Sequence, residues 1–413
     1  MNILKTIVLS LFLFACTDTE KLSPAGDSVS LRKPTLLVDP GFSRERMPNK
    51  ALLWYNRMWA ALNNNDQILN LTKYAGSNDT YLYGRTLGDH ITALLHVLRV
   101  TGDPAVLDEI DRLTELMRIQ LQDWSIISDK GSDYVEDGFL NWQNKYDPEW
   151  YGTDTMPMDE MLAHSQVAAF TYAFYVNRDF DARFAEHYDF WIDYLINHFE
   201  AKWRKRNDVP VGNFLVKDLT HVYAAWLRYN YYVYKLTGDQ QYLTDAEHMA
   251  DMLKSHMIEV DNGNAYVWDH RMTELENGAP WGCQPFYYAR GTMQYLIDLS
   301  LEGFSVFDDA YMTKLAGTVS HNIIDNGPVD FASDVCGGID LGGLSASGYP
   351  RETQKRWSGT SGYVEIGAWD KSGKILETTV EVYNDVERDH ERPRYILNPA
   401  GMVFSILYKS KTY

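Results

Sequence analysis

One helical corner used twice constrains this chain more than any other feature. Arg99-Val100-Thr101-Gly102-Asp103-Pro104-Ala105-Val106-Leu107 recurs in pattern as Lys235-Leu236-Thr237-Gly238-Asp239-Gln240-Gln241-Tyr242-Leu243. Each copy follows a long aliphatic or aromatic stretch of helical period and opens another. Thr-Gly-Asp suits a tight turn between helices, with glycine closing one and aspartate capping the next. A hairpin used more than once points to repeated helix pairs. Amphipathic periods of 3.6 residues appear near 50–63, 81–101, 103–123, 159–177, 180–203, 217–237, 239–258, 286–302 and 307–324, separated by breaks rich in Gly, Asp, Asn or Pro. The expected fold is all-α: an α/α toroid, a barrel of helical hairpins, against the alternative of a helical-repeat solenoid. Tyr363–Trp369 and Ile375–Tyr383 alternate like strands around Asp370-Lys371-Ser372-Gly373-Lys374, which predicts a small C-terminal β-hairpin.

The amino terminus has its own pattern. Lys5 precedes an apolar run from Thr6 to Ala15, too short for a membrane span, and Leu13-Phe14-Ala15-Cys16 resembles a bacterial lipoprotein cleavage box. Residues 1–15 read as a lipoprotein signal peptide, 16–35 as a polar tether and 36–413 as a barrel catalytic domain. Lipidated Cys16 would anchor the chain to the outer membrane or the periplasmic membrane surface; a plain secretory signal is the alternative. The two remaining cysteines, Cys283 and Cys336, allow one disulfide but no disulfide scaffold.

A net charge of −19 argues against a nucleic-acid partner, which needs a basic face. An acidic polysaccharide is compatible with it, because a few cations in one cleft reverse the local field while the outer surface stays acidic. The 28 Tyr and 12 Trp suit both helix packing and stacking on sugar rings.

Candidate chemistry gathers at helix starts. The irregular segment from Ser132 to Pro157 holds Tyr134, Trp142, Tyr146, Trp150 and Tyr151, for sugar stacking or for packing onto the barrel rim. Glu160 and His164 share a helix face four residues apart. Without the companion His-Glu-x-x-His pattern no metal is expected there. The glutamate could orient the imidazole for proton transfer, or the two could form a structural pair. His221 opens an aromatic helix after Asn213, a candidate sugar contact; the positive end of a helix dipole disfavours imidazolium there. Trp281-Gly282-Cys283-Gln284-Pro285-Phe286-Tyr287-Tyr288-Ala289-Arg290 carries the strongest signal, since an arginine near a phenol favours phenolate and lets a tyrosine act as base and then acid. Arg85 and His90 form a similar polar start to an earlier helix, and Asp269, His270 and Arg271 cluster in a loop. No Gly-x-Ser-x-Gly elbow, phosphate-binding loop or Gly-rich dinucleotide turn is present.

Asn141-Trp142, Asp159-Glu160-Met161-Leu162-Ala163-His164, Leu219-Thr220-His221 and Gly282-Cys283-Gln284-Pro285 ahead of Tyr288-Ala289-Arg290 are similar to helical-barrel uronate lyases, nearest to polysaccharide lyase family 38, over roughly residues 80–300. The resemblance implies cleavage of alginate or glucuronan by β-elimination, with no redox cofactor. It implies Tyr288 as acid, and also as base in some geometries, with His221 as partner base. Asn141, His164 and Arg290 would neutralise the carboxylate. Trp142 and Trp281 would stack on neighbouring sugars, and Arg85, His90, Glu160, Asn213, Tyr287 and Arg271 are further candidate substrate contacts. Tyr287 and Tyr295 stay open as alternative phenols. Two other readings remain: a glycoside hydrolase acting on unsaturated uronides, for which Asp89, Asp159 and Glu160 could supply a carboxylate pair, and a non-catalytic glycan-binding lipoprotein.

Overall fold

A computed structural model describes residues 34–123, 138–145, 157–206, 218–273, 282–324, 332, 334–337, 362–388 and 396–410. The described chain is mostly helical, with two small antiparallel sheets. The helices used below are α1 (Asn49–Leu62), α2 (Asn65–Ala75), α3 (Gly88–Thr101), α4 (Pro104–Arg118), α5 (Pro157–Val176), α6 (Ala182–Asp193), α7 (Ala201–Arg206), α8 (Thr220–Thr237), α9 (Gln240–His256), α10 (Phe286–Leu301), α11 (Asp309–Gly317), α12 (Tyr363–Ile366), α13 (Lys374–Arg388) and α14 (Leu397–Lys409). A wider turn at Tyr83–Leu87 leads into α3, and another at Tyr194–Glu200 joins α6 to α7. Strands β1 (Gln122–Asp123) and β2 (Leu140–Asn141) pair Gln122 with Asn141; β3 (Ile258–Val260) and β4 (Ala265–Val267) pair Ile258 with Val267.

The repeated corner is chemically the same at both sites. Gly102 and Gly238 end α3 and α8 in the left-handed region, at φ 68° and 74°, where a side chain would be strained. The Thr101 hydroxyl donates to the Val97 carbonyl and accepts from the Asp103 amide, and Thr237 repeats both bonds with Val233 and Asp239. The Asp103 and Asp239 carboxylates then accept from the amides of Ala105 and Gln241, capping α4 and α9.

Burial separates two kinds of helix. Every residue of α3 is buried, and α8 is nearly so. Helix α9 buries only Ala246, Met249, Ala250 and Leu253, one stripe at helical spacing. The buried helices contact one another in the order α3–α5, α5–α8, α8–α10, α10–α12 and α12–α14, and α14 returns to α3. The half-buried helices lie against them: α4 on α3, α6 on α5, α9 on α8 and α1 on α14.

The sequence-predicted C-terminal hairpin is corrected. Tyr363–Ile366 is a helical turn and Lys374–Arg388 a full helix. Ile375, Thr378, Thr379, Val382 and Tyr383 are buried, a spacing of three and four that makes one helical stripe. The β-branched residues that gave the two-residue alternation satisfy this stripe as well, and packing against α12 and α14 decides between them.

A buried charge network ties the inner helices together. Asp298 on α10 accepts from Arg228 Nε on α8 at 2.7 Å and lies 3.2 Å from Arg99 Nη2 and 3.1 Å from His96 Nε2, both on α3. Arg228 Nη1 also donates to Gln166 on α5 at 2.9 Å. Burial alone would raise the Asp298 pKa; Arg228, Arg99 and His96 outweigh it and hold the carboxyl far below the usual range. Close backbone approach does similar work at Gly84, where an added Cβ would meet Leu162 Cβ at 2.7 Å and the Ala163 amide nitrogen at 2.9 Å. Glycine there lets the turn before α3 seat against α5.

The candidate active site

The starts of the inner helices converge on one small cleft that is open to solvent. Gly84, Arg85 and Asp89 come from the turn before α3 and its first residues, Leu162 from α5, His221 from α8, and Tyr287, Tyr288, Arg290, Gly291 and Tyr295 from α10. Side chains distant in sequence thus face one space because four helices begin around it.

Two rings of the cleft, His221 and Tyr288, stand beside a third, His270. The His221 and Tyr288 rings are 4.7 Å apart between centroids, His270 and Tyr288 5.2 Å, and His221 and His270 6.0 Å with nearly parallel planes. Neither ring nitrogen of His221 makes a hydrogen bond among the described residues, though both are buried. Burial pushes the His221 pKa well below the ordinary histidine value, and the neighbouring Arg85, His270 and Arg290 push it further. The imidazole is therefore neutral at neutral pH, the form that accepts a proton.

Two guanidiniums flank the rings. Arg290 is ion-paired with buried Asp89 and lies 4.8 Å from the Tyr287 ring centroid. Burial works against its charge, but Asp89 and then Tyr287 outweigh it and raise its pKa. Arg85 donates from Nε to Asp159 at 3.2 Å, and its charge is favoured by Asp159, Tyr81 and Tyr288 against the cost of burial. Arg85 is thus the guanidinium coupled to Tyr288, whereas Arg290 attends Tyr287. Tyr295 lies deeper; burial first and Asp89 second push its phenol up to about 12, so it stays protonated at neutral pH.

The residues expected from sequence divide into two groups. Tyr288, His221, Arg290, Arg85 and Tyr287 line the cleft together. Asn141, Glu160 and His164 do not; they belong to a separate buried cluster around Lys202. Lys202 Nζ donates to Asn141 Oδ1 at 2.9 Å and to Glu160 Oε2 at 2.7 Å, and Trp203 Nε1 also donates to Glu160 at 2.9 Å. His164 Nδ1 bonds the Glu160 carbonyl oxygen at 2.7 Å rather than its carboxylate, Nε2 bonds the Tyr194 hydroxyl at 2.9 Å, and the ring stacks on Phe199. The expected Glu160–His164 side-chain pair is corrected, because Lys202 takes the carboxylate. Burial and then Lys202 hold His164 well below the usual histidine range.

Trp142 is also corrected as a sugar platform. It is fully buried among Tyr83, Trp191 and Tyr194, with Nε1 donating to the Met117 carbonyl at 3.0 Å. His90 is buried along α3, its Nδ1 on the Thr86 carbonyl at 2.7 Å. Arg271 is engaged by Asp218 at the start of the segment leading into α8. Trp281 and Asn213 lie outside the described residues, as do Tyr134, Tyr146, Trp150, Tyr151 and the amino-terminal leader with Cys16. Among the described residues no helix is long and apolar enough to cross a membrane.

Sequence reasoning left Asp89 without its partner, Arg290. Asp89 stands four residues after Arg85, a spacing that puts both on one helix face and could have flagged it. His270 stands beside the Tyr288 ring because the 269–271 segment pairs with Leu219 on one side and Cys283 on the other. No family model matches this chain, and no curated protein aligns with it significantly.

Proposed function

We propose that this chain is a polysaccharide lyase that cleaves a uronic-acid-containing glycan, alginate or glucuronan, by β-elimination on an α/α toroid. The observation that carries the reading is the meeting of Tyr288, neutral His221 and the Arg85 and Arg290 guanidiniums in one cleft. The order of contacts among the buried helices, which returns from α14 to α3, supports a closed ring over an open solenoid.

The chemistry follows from the substrate. The proton on C5 of a uronate is weakly acidic because its loss puts charge into the adjacent carboxylate. A guanidinium facing that carboxylate stabilises the developing charge. Arg85 and Arg290 take this task, since Asn141 and His164 are committed to Lys202 and Tyr194. His221 removes the C5 proton. The pair of electrons forms the C4–C5 double bond, the C4–O4 bond breaks, and Tyr288 protonates the departing O4. No cofactor is needed for this sequence of steps.

The hydrolase reading fits less well. Asp89 is paired with Arg290, Asp159 with Arg85 and with Asn144 Nδ2, and Glu160 with Lys202. A hydrolase needs one carboxyl kept protonated as acid and one carboxylate as base or nucleophile, and carboxylates held by cations are poor acids.

Incubation of the purified protein with alginate, glucuronan and other acidic glycans tests the proposal. A rise in near-ultraviolet absorbance from an unsaturated uronate is expected with at least one of them. Reducing ends without that absorbance would favour hydrolysis, and binding without any product would favour a glycan-binding protein. Envelope anchoring is part of the same proposal: a Cys16→Ser form should leave the membrane fraction.

A further inference from the structure

We propose that Arg85, rather than Arg290, grips the substrate carboxylate through both terminal nitrogens of its guanidinium, and that Asp159 is the positioning residue that presents it. This inference rests on the lyase reading above and divides the work of its two arginines.

The two guanidiniums are held by different edges. A guanidinium can meet a carboxylate side-on, through Nε and Nη2, or end-on, through Nη1 and Nη2. Asp159 accepts from Arg85 Nε at 3.2 Å, and Met158 Sδ, a weak acceptor, lies 3.6 Å from Nη2. Both partners stand on α5, so the side-on edge of Arg85 is turned to that helix. Neither contact uses Nη1. The end-on edge is left for a ligand, and Arg85 lines the cleft. Arg290 is held the other way. Asp89 takes its Nη1, which spoils the end-on edge. Its Nε is buried with no hydrogen bond among the described residues, which leaves the side-on edge poorly placed for a ligand arriving from solvent.

Asp159 is itself fixed. It is fully buried, and its other oxygen accepts from Asn144 Nδ2 at 2.8 Å. It is the third residue of α5, where the helix dipole favours a carboxylate. The Tyr81 ring flanks the guanidinium, its centroid 5.1 Å from Arg85 Cζ. An added Cβ at Gly84 would meet the Asp159 carbonyl oxygen at 3.1 Å, so glycine there lets the turn approach α5 and Arg85 reach Asp159. Charge points the same way. After burial, Arg85 bears most on His221, ahead of His270 and Arg290, and Tyr288 is among the groups acting on Arg85. A carboxylate on Arg85 is thus held beside both proton-transfer groups.

Comparing Arg85→Ala with Arg290→Ala on the glycan that the wild type cleaves tests this. Arg85→Ala should lose about 10²–10³-fold in kcat/KM, and added guanidinium should restore part of it. Arg290→Ala should lose less and gain nothing from guanidinium. The reverse order, or rescue of Arg290→Ala alone, would overturn the proposal while leaving the lyase reading intact. Should Arg85→Ala fail to fold, Arg85→Lys keeps a charge for Asp159 without the fork; it should stay well below wild type, and full activity would overturn the clamp. Asp159→Asn should lower kcat/KM about 10-fold in the wild type and add little in Arg85→Ala, as expected of a residue acting through its neighbour. Losses that add, or no loss, would overturn its positioning role. If Asp159→Asn does not fold, Asn144→Ala takes its place in the same cycle. A wild type that gives no unsaturated product from any acidic glycan would remove the lyase reading. Calorimetry with glucuronate then decides the clamp: the wild type should bind it and Arg85→Ala should not, whereas equal binding by both, or by neither, would overturn it.

Discussion

His221 and Tyr288 begin two different helices, and their rings lie 4.7 Å apart at a tilt of 34°. One is a buried imidazole with no hydrogen-bond partner among the described residues, the other a phenol under the influence of Arg85. If elimination is the reaction, the two are not interchangeable with their neighbours. Tyr288→Phe is expected to lower kcat by about 10²–10⁴-fold with the thermal midpoint little changed. Tyr287→Phe, at an exposed position, is expected to alter KM more than kcat. Equal kcat losses in both variants would mean that the phenol had been misassigned.

The pH dependence follows from the depressed imidazoles. His164 and His221 both have folded-state pKa values well below the ordinary histidine value. Above that value neither state binds the proton and the native fold loses nothing. As pH falls below it, the unfolded chain takes up protons that the folded chain refuses, so stability declines toward the folded-state pKa values. Denaturant midpoints should therefore drop as the solution is acidified from neutrality, and His221→Asn should show a shallower drop. The acid limb of kcat/KM should likewise lie below the ordinary histidine range.

Asp298 holds Arg228 and Arg99 in a region with no exposed side chain. Removing it leaves two buried guanidiniums without their shared carboxylate. Asp298→Ala is expected to cost about 3–5 kcal/mol in urea unfolding, with a visible loss of soluble yield. A change under 1 kcal/mol would mean that water or Glu302 takes over the role.

The Cys283–Cys336 disulfide links residues 53 apart in sequence, with Cα atoms 6.0 Å from each other. Closing a loop of that length restricts the unfolded chain by about 4 kcal/mol in the chain-entropy account. The double Cys→Ala form should lose stability of that order. Because Gln284 pairs with both Trp268 and Val335, the start of α10 should loosen as well, seen as faster amide exchange at Ala289 and Arg290.

Helices were legible in the sequence wherever burial and period agreed. The expected spans at 50–63 and 286–302 differ from the observed helices by one residue at most at each end, and the span at 81–101 takes in both α3 and the wider turn before it. The doubled Thr-Gly-Asp corner was readable because each of its residues has one local task. The tail was misread because Ile375–Tyr383 satisfies both the strand and the helix period over a short window. Tyr288, His221, Arg85 and Arg290 stand at or just before helix starts, and the structure brings them to one cleft. Asn141, Trp142, Glu160 and His164 look the same in sequence yet turn into the core, where Lys202 and Tyr194 meet them. Nothing local distinguishes a polar residue that faces a cleft from one that satisfies a buried lysine further along the chain.

His221 is the second residue of α8 and Tyr288 the third of α10, and both helices begin after extended residues. Each helix brings roughly half an elementary positive charge to its first turn. If the substrate is an acidic sugar, part of the pull on it thus belongs to peptide units and not to any side chain. A cleft stripped of both arginines would keep a weak hold on acids, and an alanine scan will undercount what attracts the substrate.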